Sequence, residues 1–72
     1  MPKLPMSPEE LPFQVSPFLS EAINDYREAL ATGADELDVA DALDRIESCA
    51  RDQSEEEDAW VYDYYVRGSW RR

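Results

Sequence analysis

Proline placement constrains this chain more than any other feature, because all five prolines lie within its first 17 residues. Proline fixes its own φ and disfavours a helical conformation in the residue before it, so that stretch cannot form a long helix. No proline follows it, and the rest of the chain is free to be helical. We therefore predict a proline-rich extended arm over residues 1–15, an acidic helical domain over 16–68 and a short basic tail over 69–72.

The arm carries two local signals. Ser7 followed by Pro8 predicts a single helical turn, which Pro12 should end. Alternate residues are then apolar, as expected of an extended segment that lays one side on a core. These residues are Leu11, Phe13 and Val15.

The first helix has clear ends. Ser16 and Pro17 are typical of a helix start, and Gly33 is typical of a stop after Thr32. At 3.6 residues per turn, seven apolar residues fall within one arc and predict the buried face. They are Phe18, Leu19, Ala22, Ile23, Tyr26, Ala29 and Leu30. The opposite face carries an acidic stripe of Glu21, Asp25 and Glu28, whose simplest interpretation is solvation.

A second helix is predicted from a cap at Asp38 to about Asp52, with Asp41 in its first turn, where a negative charge favours the helix dipole. Its apolar residues cover about a third of the circumference. They are Val39, Ala42, Leu43, Ile46, Cys49 and Ala50.

The third element is open to two interpretations. Ser54 with Glu57 three residues later predicts a capped helix that ends at Gly68. Residues 60–66 are instead rich in strand-forming side chains that alternate onto one face. We favour the helix, which makes the fold class all-α: a small three-helix bundle with an extended arm. Such a helix would be apolar around most of its circumference, so either the arm covers it or some aromatics face another molecule.

Charge is concentrated in the middle of the chain. Eleven of the 17 acidic residues lie between Asp35 and Asp58, where only Arg45 and Arg51 offset them, so this segment carries −9 of the net charge of −10. Such a field repels nucleic acid and anionic membranes and attracts basic surfaces. We expect no direct binding to nucleic acid or membrane.

Composition argues against several kinds of chemistry. The chain has no histidine, one cysteine and two glycines, so it lacks the usual general base, an internal disulfide and a glycine-rich phosphate loop. We expect no enzymatic activity, no cofactor and no specific metal site. No segment approaches the roughly 20 apolar residues of a membrane span, and we expect a cytoplasmic protein. A chain this short buries little surface, so partner binding or a homodimer would add to its stability.

These observations favour a binding protein. Our first interpretation is a phosphate mimic that covers the nucleic-acid-binding surface of a basic host protein or complex. Small size, strong acidity and the lack of catalytic residues resemble phage-encoded inhibitors, including many anti-CRISPR proteins, although no motif is shared. The candidate acidic contacts are Asp38, Asp41, Asp44, Glu47, Asp52, Glu55, Glu56, Glu57 and Asp58.

The alternative is an immunity protein, an antitoxin or a small subunit that docks through its aromatic third element, with the acids speeding encounter. Its candidate contacts are Trp60, Tyr62, Tyr65 and Trp70. A third and simpler interpretation is a helical domain whose acidic face is only solvated.

Overall fold

The computed structural model describes residues 3–71 as a bundle of three α-helices, without a strand in that range. The all-α prediction is therefore confirmed, and the strand alternative for residues 60–66 is wrong. Met1, Pro2 and Arg72, at the ends of the predicted arm and tail, lie outside the described residues. The helices are α1 (Pro17–Thr32), α2 (Glu36–Gln53) and α3 (Glu55–Val61). Helix α3 continues into a π-helical segment (Tyr62–Val66). Short 3₁₀ turns occur at Pro8–Glu10 and Ser69–Arg71.

Helix α1 follows the prediction closely. The Ser16 Oγ accepts a hydrogen bond from the Leu19 N–H at 3.2 Å, which caps the first turn. Gly33 ends the helix with a φ of 71°, a left-handed conformation that glycine adopts without strain. The buried residues of α1 belong to the predicted arc: Leu19, Ala22, Ile23 and Tyr26.

Phe18 is the exception in that arc, because its side chain is 76% exposed. It lies about 100° around the helix from the fully buried Leu19 and so at the margin of the apolar face. The prediction that it packs in the core is wrong.

Helix α2 begins earlier than predicted, at Glu36, and Asp35 rather than Asp38 is its N-cap residue. The Ala34 N–H donates to the Ala29 carbonyl at 2.9 Å and turns the chain sharply after α1. Because this turn is so short, α2 can start at once, and Asp38 falls in its first turn. The buried face was predicted correctly around Ala42, Ile46 and Ala50.

The arm covers the aromatic side of α3 and of the π-helical segment that follows it. The Met6 N–H donates to the Tyr64 hydroxyl at 3.0 Å, and the Tyr65 hydroxyl donates to the Met6 carbonyl at 2.8 Å. Further along the arm, Phe13 packs edge-on against Trp60 with ring centroids 5.5 Å apart. The arm therefore supplies the cover that a mostly apolar helix needs.

Trp70, in the predicted basic tail, belongs to the core. Trp70 is only 7% exposed and packs edge-on against Tyr26, which also contacts Tyr65. Gly68, with a φ of 80°, makes the turn that brings Trp70 back onto the bundle. Among the helices of residues 3–71, none combines the length and the apolarity needed to cross a bilayer.

Candidate protein-binding groove

A shallow groove runs along the outer surface between α1 and α2, which pack against each other as an antiparallel hairpin. Its middle is marked by an ion pair between the Asp25 Oδ2 and the Arg45 Nη1, 3.6 Å apart. We call this surface the acidic groove, because six carboxylates line it. They are Glu21, Asp25, Glu28, Asp38, Asp41 and Asp52.

The acidic groove has a strong charge imbalance. Its six carboxylates are offset by one guanidinium, that of Arg45. The Asp25–Arg45 pair is exposed at both ends, and such pairs contribute little to stability. The arrangement therefore provides a negative field that attracts cationic side chains and accepts charge-assisted hydrogen bonds from them.

One end of the acidic groove has an apolar floor. Phe18 lines this end together with Cys49, which is half-buried, and Ala22, which is buried. Sequence reasoning missed Phe18 as a surface residue because the 3.6-residue pattern assigned it to the core. Its position in the first turn, at the edge of the apolar arc, is the signal that distinguishes it.

The acidic groove contains only three of the nine predicted acidic contacts. Of the α2 acids, Asp38, Asp41 and Asp52 line it, whereas Asp44 and Glu47 lie further round the helix. The acids from Asp38 to Glu47 are three residues apart, and three residues turn a helix by about 300°. Each acid is therefore displaced by about 60° around the helix axis from the one before it, and Asp44 and Glu47 fall outside the groove. Glu21, Asp25 and Glu28 of α1, which were expected to form a solvated stripe, complete the groove.

Most of the acids outside the groove have local roles or are solvated. Glu47 forms an ion pair with Arg51 at 3.0 Å, and the Glu57 Oε2 accepts a hydrogen bond from the Gln53 Nε2. Glu55 and Glu56 are exposed in the first turn of α3, where negative charge favours the helix dipole. Asp58 is half-buried, and its Oδ1 has no hydrogen-bond partner within the described residues.

Three of the four predicted aromatic contacts are engaged within the fold. Tyr65 and Trp70 are 1% and 7% exposed and lie in the core, so a partner cannot reach their rings in this conformation. Trp60 is half-buried and stacks on Tyr64 at a centroid distance of 5.0 Å. Tyr62, 42% exposed, is the one member of the predicted set with an exposed ring.

The titratable group with a clearly perturbed pKa lies away from the acidic groove. Burial raises the pKa of the Tyr65 phenol, and the neighbouring Tyr64 raises it further. The Tyr65 hydroxyl is occupied in holding the arm. No cluster of three or more Asp, Glu or Cys side chains suited to a metal ion occurs between Lys3 and Arg71.

Comparison with known proteins gives no match: no family model fits the chain, and neither a curated protein nor a solved structure shows significant similarity to it.

Proposed function

We propose that this protein is a non-catalytic inhibitor of the phage-encoded kind, which binds a basic surface of a host protein and keeps nucleic acid away from it. The acidic groove supplies the contacts, with carboxylates in the place of phosphates. The partner is a nucleic-acid-binding protein or complex, and the protein itself does not bind nucleic acid.

The observation that carries the proposal is the linear density of charge in the acidic groove. From Asp38 to Asp52, α2 rises about 21 Å, and the six groove carboxylates are distributed along that length. With the positive charge of Arg45 subtracted, this is about one net negative charge per 4 Å of axis. One strand of duplex DNA carries a charge about every 3.4 Å. A protein surface that binds a DNA strand can therefore also bind this row of carboxylates.

Solvation alone accounts less well for this pattern. A solvated face needs only net charge, and alternating signs on neighbouring helices would stabilise the hairpin as well as keep it soluble. Here acids from both helices face one groove, and like charges so placed repel each other. Asp25 is paired with Arg45, but the other five carboxylates of the groove have no counter-charge within the described residues. Acidic side chains of that kind are typical of a binding surface.

Docking through the aromatic third element receives less support. Tyr65 and Trp70 complete the core with Tyr26 through internal ring contacts, and the Tyr65 hydroxyl donates its hydrogen bond within the fold. An immunity protein or subunit that relied on them would have to unfold part of its own core to bind.

Two triple variants of equal charge test the proposal. In the groove variant, Glu21→Lys, Glu28→Lys and Asp41→Lys reverse three exposed acids that line the acidic groove. In the matched control, Glu9→Lys, Asp44→Lys and Glu56→Lys reverse three exposed acids on other surfaces. The two differ in where the charge is lost and not in how much.

Each immobilised protein is then used to capture partners from host lysate, and duplex DNA is used to elute them. We expect the wild type and the control to retain a basic protein that DNA displaces, and the groove variant to lose it, with a drop in affinity of at least about tenfold. Equal retention by all three proteins would rule out the acidic groove as the contact surface. A captured partner that ignores DNA would rule out phosphate mimicry.

A further inference from the structure

We propose that the occupant of the acidic groove is a basic amphipathic α-helix of the partner, anchored by apolar contact with Phe18. The inference rests on the proposed function and specifies which structure in the partner is recognised. It concerns the end of the groove where Phe18, Ala22 and Cys49 form an apolar floor.

Phe18 is placed as a contact residue rather than as part of the core. Phe18 is 76% exposed, whereas Leu19, Ile23 and Ile46 of this hairpin are fully buried. Aromatic side chains on an otherwise charged surface are enriched at the energetic centres of interfaces, where a polar rim excludes water around them. Glu21 and Asp52 provide such a rim on either side of Phe18.

The shape and charge of the groove favour a helix as occupant. Its walls are two antiparallel helices, and the depression between two packed helices accepts the side-chain ridge of a third. Described residues 3–71 offer no strand edge to which an extended peptide could add, whereas a helix satisfies its own backbone. Carboxylates on both walls then complement Lys and Arg on the flanks of that helix, while its apolar stripe faces Phe18.

A synthetic peptide provides a defined probe. It is about 14 residues long, to match the roughly 21 Å of α2 that borders the groove, and it carries a leucine stripe flanked by Lys and Arg. A second peptide has the same composition in a scrambled order that destroys the amphipathic pattern. Because the chain has a single cysteine, Cys49, the rate of its alkylation reports directly on occupancy of the apolar end.

We expect the amphipathic peptide to bind the wild type at least about tenfold more tightly than the scrambled one in calorimetry, and to slow alkylation of Cys49. Phe18→Ala should reduce that affinity by about tenfold. The matched control is Leu37→Ala, which removes another exposed apolar side chain, 83% exposed, at the opposite end of the hairpin and should leave the affinity unchanged. Both residues are on the surface, so neither variant should impair folding.

The outcomes separate this inference from the proposed function. Equal affinity for the two peptides, unchanged affinity in Phe18→Ala or unprotected Cys49 would overturn the helix-in-groove inference. One of these three outcomes could be observed while the Glu21→Lys, Glu28→Lys, Asp41→Lys variant still loses peptide binding. The acidic surface would then bind cations without recognising a helix, and the proposed function would stand. If that variant binds the peptides as well as the wild type does, both fail.

Discussion

Gln53 joins four segments of the chain through one carboxamide group. Its Oε1 accepts the Ser16 N–H at 2.8 Å, and its Nε2 donates to the Gln14 carbonyl at 2.8 Å and to the Glu57 Oε2. The arm, the start of α1, the end of α2 and the start of α3 therefore meet at this side chain. Sequence alone could not predict this, because a glutamine at the end of a helix has the same local signature when it is merely solvated.

Replacing Gln53 by Ala should lower the free energy of unfolding by about 2 kcal/mol, since the partly buried Ser16 N–H loses its partner along with two further hydrogen bonds. Urea denaturation measures the change. Gln14→Ala is the matched control, because the side chain of Gln14 is exposed and only its backbone carbonyl takes part. Equal stability of the two variants would contradict the role assigned to Gln53.

Tyr65 makes stability depend on alkaline pH. Burial raises the pKa of its phenol above the ordinary value of about 10, so the folded state favours the neutral form. This contribution to stability is fully present below about pH 10 and is lost as the pH rises toward the raised pKa of the folded state.

Tyr65→Phe should lose about 1 kcal/mol of stability at neutral pH, because the hydrogen bond to the Met6 carbonyl disappears. It should also weaken the decline in stability above pH 10 that the wild type shows in urea denaturation at a series of pH values. Tyr62→Phe, which alters an exposed ring, serves as the control. A steep alkaline decline that persists in Tyr65→Phe would show that another group is responsible.

At the scale of the elements, the turn between α1 and α2 depends on Gly33. Adding a Cβ at this residue would meet no atom within 4 Å, and its φ of 71° is the one obstacle to substitution. The energetic cost of a side chain there is therefore purely a cost of backbone conformation.

Gly33→Ala should lower the free energy of unfolding by about 1 kcal/mol, while Gly33→Asn should lower it by less, since asparagine adopts the left-handed region more readily. Thermal denaturation of the two variants beside the wild type tests this order. If alanine were tolerated as well as asparagine, the left-handed turn would not be what limits the site.

Local signals explain which elements were predictable. The start of α1 at Ser16 and Pro17 and its end at Gly33 depend on residues within one turn, and both were predicted from sequence. The start of α2 was not, because Asp35 and Asp38 are equally good caps and the hydrogen bond from Ala34 to Ala29 decides between them. The path of the arm depends on Tyr64 and Tyr65, almost 60 residues away, and no local rule reaches that far.

The candidate site, like the helices, was predictable from sequence only in part. Concentrated negative charge was evident from sequence, and α2 does supply Asp38, Asp41 and Asp52 to the acidic groove. The contribution of α1 and the exposure of Phe18 depend on how two helices pack. Periodicity assigns residues to a face of one helix, but it does not say which faces of two helices share a groove.

At the scale of the whole molecule, a net charge of −10 on 72 residues makes self-repulsion a general cost of folding. Raising KCl from about 10 mM to about 0.5 M shortens the Debye length from about 30 Å to a few ångströms. We expect the free energy of unfolding to rise by about 1 kcal/mol over that range. The triple variant of Glu9, Asp44 and Glu56 to Lys, with a net charge of −4, should show a smaller rise, and an equal rise would contradict self-repulsion as the cause.

Competition between this protein and duplex DNA for the captured partner tests phosphate mimicry directly. In a fluorescence titration, the apparent Kd of the partner for DNA should rise linearly with the concentration of the wild-type protein, as mutual exclusion requires. The groove variant of Glu21, Glu28 and Asp41 to Lys should leave that Kd unchanged. A ternary complex, in which the partner holds DNA and this protein together, would contradict phosphate mimicry by the acidic groove.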